Sequence, residues 1–97
     1  MNLMSKPKVL IIDDDKDYLE LLAEALENSF DVQTASSIAS AETLVNDDVI
    51  FDIALVDENI GDDKGSDWIK EKATLNTVAT SFVLYSGLAT EDAILKG

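Results

Sequence analysis

The sequence contains no cysteine and no histidine among its 97 residues. Without cysteine, the chain can form neither a disulfide framework nor a thiolate metal site. Without histidine, it lacks imidazole ligands and the base that usually activates a serine or cysteine nucleophile. Zinc sites, copper sites and the common hydrolase triads are therefore not expected.

Arginine is also absent, so the seven basic residues are all lysine, and 20 acidic residues bring the formal net charge to −13 at pH 7. Proteins hold a nucleic-acid backbone mainly by neutralising its phosphates with lysine and arginine. This balance predicts no direct nucleic-acid partner. It favours a bound metal ion or a cationic partner surface instead.

Long apolar runs are missing as well. The apolar runs that are present are all much shorter than the roughly 20 residues that a membrane-spanning helix requires. The first residues, MNLMSKPK, are short and polar and do not form a targeting segment. Hydrophobic residues still make up 46% of the chain, which is typical of a folded globule and excludes general disorder. We expect a single cytoplasmic domain over residues 1–97 with no membrane partner.

The apolar pattern predicts four strands that alternate with three helices. The runs at 9–12, 53–56 and 81–85 are nearly all apolar, which is typical of strands buried on both faces, and the alternating run at 30–34 indicates a half-exposed strand. Apolar residues recur at helical spacing in three segments. The first begins at Asp17 and closes at Asn28 and Ser29, the second follows the N-cap candidates Ser36 and Ser37, and the third runs from Ser66 through Ala73. This order predicts a doubly wound α/β fold with a mostly parallel sheet and helices on both faces.

Polar residues follow three of the predicted strands. Asp13 and Asp14 come after the first, Asp57 after the third, and Ser86 with Gly87 after the fourth. In an open parallel sheet, ligands bind beyond the carboxyl ends of the strands, so these side chains are expected to converge. Three neighbouring carboxylates repel one another unless a proton or cation neutralises them. Oxygen ligands favour Mg²⁺, Mn²⁺ or Ca²⁺.

The same residues resemble the receiver domain of bacterial two-component response regulators, which has a flavodoxin-like fold. The resemblance rests on an apolar strand with Asp13-Asp14, a second with Asp57 43 residues after Asp14, then Gly65, and a strand ending in Ser86-Gly87. It covers residues 8 to about 95. The order and spacing of these motifs together are more specific than any one of them alone.

The resemblance implies a role for each site residue. Asp57 would be the phosphoacceptor, Asp14 would bind Mg²⁺ or Mn²⁺ directly, and Asp13 would bind it through water. Asn59 would lend its backbone carbonyl to the metal, and the Ser86 hydroxyl would contact the phosphoryl group. The implied function is to accept a phosphoryl group from a histidine kinase or phosphotransfer protein and to signal to a downstream protein target. Such a chain is not an enzyme, although self-dephosphorylation can occur.

Two features near Asp57 depart from the family pattern. Gly61 stands where the family usually has proline, which predicts a looser loop. Asp62 and Asp63 add negative charge, which is expected to favour divalent cations and to hinder anionic donors that bring no basic patch.

The C-terminal residues allow two interpretations. The family continues through a fourth helix, a fifth strand carrying a phosphate-binding lysine, and a fifth helix. Residues 88–97 fit the opening of that helix, with Thr90 as its N-cap and the family lysine absent. Alternatively, residues 92–97 imitate the fifth strand, and Lys96 stands in for the lysine. We favour the helix, because a parallel crossover needs a dozen or more residues.

The fourth predicted strand is expected to lie at the edge of this shortened sheet. Its residues 82–85 would then present apolar side chains and unpaired backbone groups. This predicts a homodimer, formed by pairing of that edge or by exchange of the C-terminal segment.

Three other interpretations compete with the phosphoacceptor. The first is a pseudo-receiver, a protein-interaction module that keeps the fold without being phosphorylated. The second is a phosphatase of the haloacid-dehalogenase type, which the Asp13-x-Asp15 pair resembles, although no distal motif supports it. The third is a calcium loop built on Asp13, Asp15, Asp17 and Glu24, which we reject because Tyr18 occupies the position that requires glycine.

Overall fold

The structure is a computed structural model that describes residues 6–45, 50–75 and 78–85. It confirms the predicted alternation of strands and helices and adds a two-stranded hairpin. The elements in chain order are β1 (Lys8–Ile12), α1 (Lys16–Leu26), β2 (Asp31–Ala35), α2 (Ile38–Leu44), β3 (Phe51–Asp57), β4 (Asn59–Ile60), β5 (Asp63–Lys64), α3 (Gly65–Leu75) and β6 (Ala79–Tyr85).

The main sheet has four parallel strands in the order β2-β1-β3-β6. The chain moves outward from β1 to β2, then crosses to β3 on the other side of β1. The strand order therefore reverses between β1 and β3, where a doubly wound sheet opens a crevice at its carboxyl edge. The flavodoxin-like α/β class is confirmed.

The sheet is covered on both faces because β1 sends alternate side chains to opposite sides. Leu10 and Ile12 pack into a cluster with residues of α2 and α3, including Ala41 and Trp68. Val9 and Ile11 pack on the other face against Leu19 of α1. The continuous apolar run of β1 is thus the sequence signature of a strand buried on both faces.

Local side chains set the starts of the first two helices. The Asp15 carboxylate accepts a hydrogen bond from the Tyr18 N–H at 3.1 Å and caps α1. Ser37 caps α2 and forms a reciprocal pair with Ser40, which is a capping box. At the third strand the prediction is too short, because β3 runs from Phe51 to Asp57 and includes the acid itself.

A buried tryptophan joins α2 to α3. The Trp68 ring meets Phe82 of β6 edge-on at 6.4 Å, and its indole N–H donates to the Glu42 carboxylate at 2.8 Å. Lys72 also donates to Glu42, at 3.0 Å. Partial burial acts to raise the pKa of Glu42, but the hydrogen bonds from Lys72 and Trp68 outweigh it and lower that pKa.

This contact predicts an acid-range optical transition. Trp68 is the single tryptophan, so protonation of Glu42 should change its fluorescence, with a midpoint below the ordinary glutamate value of 4.5. Because the folded-state pKa is lowered, the contact stabilises the fold above 4.5 and its contribution is lost as the pH falls through the lowered value. In Glu42→Gln the transition should disappear. A transition of equal size in that variant would contradict the assignment.

At the edge of the described sheet, β6 pairs with β3. Val83 and Leu84 are each 45% exposed, as predicted for an edge strand. Phe82 and Tyr85 differ from the prediction. Phe82 is partly buried and packs against the core, and Tyr85 is half-buried and turns its hydroxyl to a buried acid. The predictions for Ser86, for Lys96 and for residues 88–97 lie outside the described residues.

No helix in the described ranges is both long and apolar enough to cross a membrane.

Candidate functional site

Three carboxylates meet at the carboxyl edge of the sheet. Asp13 and Asp14 directly follow β1, and Asp57 ends β3. These strands are hydrogen-bonded neighbours, so the three side chains come together with one oxygen of each within 4.8 Å of the others. Asp13 and Asp57 are only 1% and 3% exposed, whereas Asp14 is exposed. The site therefore has two buried acids and one that faces solvent.

Both oxygens of Asp13 accept hydrogen bonds. The Asp15 N–H donates to Oδ1 at 2.9 Å, and the Tyr85 hydroxyl donates to Oδ2 at 2.8 Å. Burial nevertheless raises the pKa of Asp13, with a further contribution from the nearby charge of Asp57, and the two donors only partly oppose this. A cation at this site would relieve the cost of holding Asp13 ionised.

Tyr85 is a site residue that the sequence analysis missed. In the sheet register it lies opposite Asp57, and its ring packs edge-on against Tyr18 of α1 at 6.1 Å. Burial, followed by the contact with Asp13, raises the pKa of Tyr85, so the hydroxyl stays protonated and acts as a donor. Its place at a strand end, next to Ser86 in the chain, was the signal that could have found it.

The segment after Asp57 is ordered by pairing. Strands β4 and β5 form an antiparallel hairpin, with Asn59 opposite Lys64 and Ile60 opposite Asp63. Gly61 makes the turn with a φ of +62°, which favours glycine, and its N–H donates to Asp14 Oδ2 at 2.9 Å. Glycine thus supplies the left-handed turn that closes this hairpin onto Asp14, and the expectation of a looser loop stays a prediction.

Asp57 is held close to the start of α3. The Asn59 N–H donates to Asp57 Oδ1 at 3.3 Å, and the Asn59 side chain accepts from Lys64 at 3.2 Å. Gly65 opens α3 directly against the backbone of Asp57, and a Cβ at Gly65 would lie 2.1 Å from the Asp57 carbonyl oxygen. Glycine is therefore required here by close approach. The Gly65 that carries part of the family resemblance has a physical reason for being glycine.

Glu58 links the end of β3 to α3. Its N–H donates to the Tyr85 carbonyl at 2.7 Å, and its carboxylate accepts from the Ser66 N–H at 2.8 Å and from the Ser66 hydroxyl at 3.0 Å. The hydrogen bond from the Ser66 backbone, followed by that from its hydroxyl, lowers the pKa of Glu58. Glu58 thus satisfies an N–H in the first turn of α3, which fixes the helix start relative to Asp57.

The structure weakens two of the competing interpretations. Asp15 caps α1 and does not join the carboxylate cluster, whereas the phosphatase interpretation needs Asp13 and Asp15 as a catalytic pair. Asp17 and Glu24 lie in the continuous helix α1, so these residues form no calcium loop. Asp62 and Asp63 are exposed and line an open groove beside α3 with Asp67 and Glu71.

The donor set of the cluster suits a hard divalent cation. It offers only carboxylate oxygens, from Asp13, Asp14 and Asp57, and Mg²⁺ and Mn²⁺ prefer oxygen ligands. Burial of two of the acids next to each other gives the cation a large charge to neutralise. The residues present therefore fit Mg²⁺ or Mn²⁺.

Several solved structures similar to this chain are receiver domains or response regulators. A CheY-like receiver domain from Methylobacillus flagellatus is 25% identical with a TM-score of 0.72, over 94% of this chain and 80% of that one. The BeF3-activated receiver domain of DrrB, a Thermotoga maritima protein, is 26% identical with a TM-score of 0.67. The match covers 95% of this chain and 75% of that one. A Burkholderia pseudomallei response regulator with a phosphorylated aspartic acid and a calcium ion is 26% identical with a TM-score of 0.69, over 94% and 55%.

No protein-family model matches the chain, and a search of curated proteins found no significant match. The structural similarity, which covers nearly the whole chain, is what defines its class. The fold is the CheY-like receiver fold of response regulators, and the resemblance stated from the sequence is confirmed. The acidic cluster of Asp13, Asp14 and Asp57 fits the phosphoacceptor site of that class.

Proposed function

We propose that this chain is a phosphoacceptor of a two-component phosphorelay, with Asp57 as the residue that receives the phosphoryl group. The observation that carries the proposal is the meeting of three carboxylate oxygens within 4.8 Å at the switch point of a receiver fold. The phosphorylated aspartic acid and calcium ion in the Burkholderia pseudomallei protein support it. In this proposal the chain accepts a group and passes on a signal, and it is not an enzyme acting on a separate substrate.

The transfer that we propose is a displacement at phosphorus. An Asp57 carboxylate oxygen attacks the phosphorus of a phosphohistidine in line, forming an O–P bond while the P–N bond breaks. The electron pair of the broken bond stays on the histidine nitrogen, which takes a proton from solvent. In the proposed self-dephosphorylation, a water oxygen attacks the phosphorus while the bond from the Asp57 oxygen breaks, which releases inorganic phosphate and restores the carboxylate.

Charge neutralisation is the second requirement of this site. A bound Mg²⁺ or Mn²⁺ ion supplies positive charge that offsets the repulsion between the carboxylates and the phosphoryl oxygens. We propose that Asp14 and Asp57 hold the ion directly, with Asp13 acting through water and Asn59 through its backbone carbonyl. The Ser86 hydroxyl is proposed to contact the phosphoryl group, and Lys96 is the candidate for the family lysine.

Labelling with a small phosphodonor tests the proposal. We expect acetyl phosphate with Mg²⁺ to add one phosphoryl group to the protein, measured as intact mass, and EDTA to abolish the adduct. Asp57→Asn removes the nucleophile and should lose the adduct completely. Asp62→Asn is the matched control, since it removes one exposed acid of the neighbouring turn and should keep the adduct.

The outcomes separate the candidate functions. An adduct in Asp57→Asn equal to that of the unaltered protein would overturn the role of Asp57. Absence of an adduct with acetyl phosphate and with a phosphohistidine donor would favour the pseudo-receiver interpretation. Steady turnover of a phosphoester substrate would favour the phosphatase.

The proposed partners are proteins. A histidine kinase or phosphotransfer protein supplies the phosphoryl group, and a basic patch on it would offset the net charge of −13. A downstream target reads the modified surface. A homodimer through the edge of β6, where Val83 and Leu84 are exposed, is a further proposal. The proposed compartment is the cytoplasm, as in the resemblance to bacterial receivers.

A further inference from the structure

The hydrogen bond between Tyr85 and Asp13 joins residues that are 72 positions apart in the chain. Its length of 2.8 Å is usual for a hydroxyl donor, and the acid that accepts it is almost fully buried. A hydroxyl that donates to a buried carboxylate makes a charge-assisted hydrogen bond, which is stronger than a neutral one. This contact therefore contributes to the balance of charge in the acidic cluster.

The Tyr85 hydroxyl binds the same carboxylate, that of Asp13, that a cation at the cluster would use. Asp13 offers about four lone-pair directions on its two oxygens, and the Asp15 N–H and the Tyr85 hydroxyl use two of them. The ion, or the water through which Asp13 would hold it, must therefore share the remaining directions and the negative charge of this carboxylate with these two donors. The hydroxyl points its positive end at a carboxylate of the cluster where a cation would be held. In the metal-free protein it partly neutralises Asp13, as a cation would do more completely.

We infer that Tyr85 is a positioning residue that restrains Asp13 in the metal-free site and competes with the divalent cation for that carboxylate. The inference rests on the proposed function, since it concerns the same cation site. Cation binding releases the hydroxyl from Asp13, and the Tyr85 ring, which packs on Tyr18, carries that change to α1 and to the end of β6. Tyr85 thereby weakens cation affinity and couples cation occupancy to these two elements.

Titration of the intact chain with Mg²⁺ tests this inference. Tyr85→Phe keeps the ring and removes the hydroxyl, so the buried Asp13 carboxylate loses a donor that only the cation can replace. We expect calorimetry to show Mg²⁺ affinity three- to tenfold higher, the change that corresponds to one net hydrogen bond. Tyr18→Phe is the matched control, because it removes the other tyrosine hydroxyl and keeps the Tyr85–Asp13 contact. Its affinity should stay within twofold of the unaltered protein.

A spectroscopic signal distinguishes competition from a merely structural role. Saturation with Mg²⁺ should change the near-ultraviolet absorption of tyrosine in the unaltered protein and in Tyr18→Phe, because the Tyr85 hydroxyl loses its acceptor. The change should be missing in Tyr85→Phe. This measurement on the unaltered protein does not depend on whether a variant folds.

The results that would overturn the inference differ from those that would overturn the proposed function. If the unaltered protein binds Mg²⁺ without any change in tyrosine absorption, or if Tyr85→Phe binds with equal or lower affinity, Tyr85 does not compete with the cation. If the unaltered protein binds no Mg²⁺ at all, the proposed cation site itself is wrong.

Discussion

Gly65→Ala is expected to lower the free energy of unfolding by about 3 kcal/mol, at the upper end of the usual cost of overpacking. The added Cβ would lie 2.1 Å from the Asp57 carbonyl oxygen and 2.9 Å from Val56 Cγ1. The Asp57 oxygen is backbone in a paired strand and cannot turn aside. Helix α3 must therefore shift away from β3, which disturbs the hydrogen bonds between Glu58 and Ser66 beside the proposed phosphoacceptor Asp57.

Thermal unfolding measures this cost. For a chain of about 100 residues, 1 kcal/mol corresponds to about 5 °C in Tm, so we expect Gly65→Ala to melt about 15 °C lower and to be phosphorylated less. Gly61→Ala is the matched control. Its Cβ would meet nothing within 4 Å, and only the left-handed φ of +62° opposes it, at a cost of about 1 kcal/mol. If the two variants melt at the same temperature, close packing at Gly65 is not the constraint.

Asp13→Asn is expected to stabilise the metal-free protein and to remove most of its stabilisation by Mg²⁺. The asparagine oxygen can accept from the Asp15 N–H, and its NH₂ group can donate to the Tyr85 hydroxyl oxygen, so both present contacts have a replacement. Meanwhile a buried charge next to Asp57 is removed. We expect a gain of about 1 kcal/mol at pH 7.5 in EDTA, which is within the usual range for one substitution.

The gain should depend on pH in a definite direction. Because the pKa of Asp13 is raised in the folded protein, the folded form takes up a proton at higher pH than the unfolded form. Acidification through that raised pKa therefore stabilises the unaltered protein, and its difference from Asp13→Asn should shrink. Thermal melts from pH 7.5 downward measure this difference.

With Mg²⁺ present at neutral pH, we expect the unaltered protein to be more stable than Asp13→Asn, the reverse of the order in EDTA. The unaltered protein should gain stability as the ion binds, while Asp13→Asn should gain little, because one of its three carboxylates is lost. An Asp13→Asn protein that is less stable than the unaltered one in EDTA would show that the carboxylate stabilises the fold itself.

Much of the fold could be predicted because its signals are local. The apolar run of β1 ends abruptly at Asp13, and the N-cap Ser37 stands directly before α2. The start of α3 was harder, since its cap is Glu58, which lies eight positions from Ser66 and beyond a hairpin. The hairpin was missed because its strands, Asn59–Ile60 and Asp63–Lys64, are only two residues each.

The site was predictable in part for the same reason. Asp13, Asp14 and Asp57 each follow a buried strand, and parallel strands bring their carboxyl ends to one edge. Tyr85 was assigned to an exposed edge, because its aromatic ring counts as apolar in the pattern of β6. The direction of its hydroxyl depends on the register of β6 against β3, which places Tyr85 opposite Asp57.

The fold class, the oxygen-only chemistry of the cluster and the three acids that form it could be predicted from residue order, because hydrophobic periodicity and residue type act over short stretches of chain. How those acids are held follows from the folded arrangement of distant segments. The Tyr85 hydroxyl on Asp13, the Gly61 N–H on Asp14 and the close approach of Gly65 to Asp57 join segments that pairing and packing bring together. Such contacts require that atoms be placed to within a few tenths of an ångström, and no local pattern of residues encodes that precision.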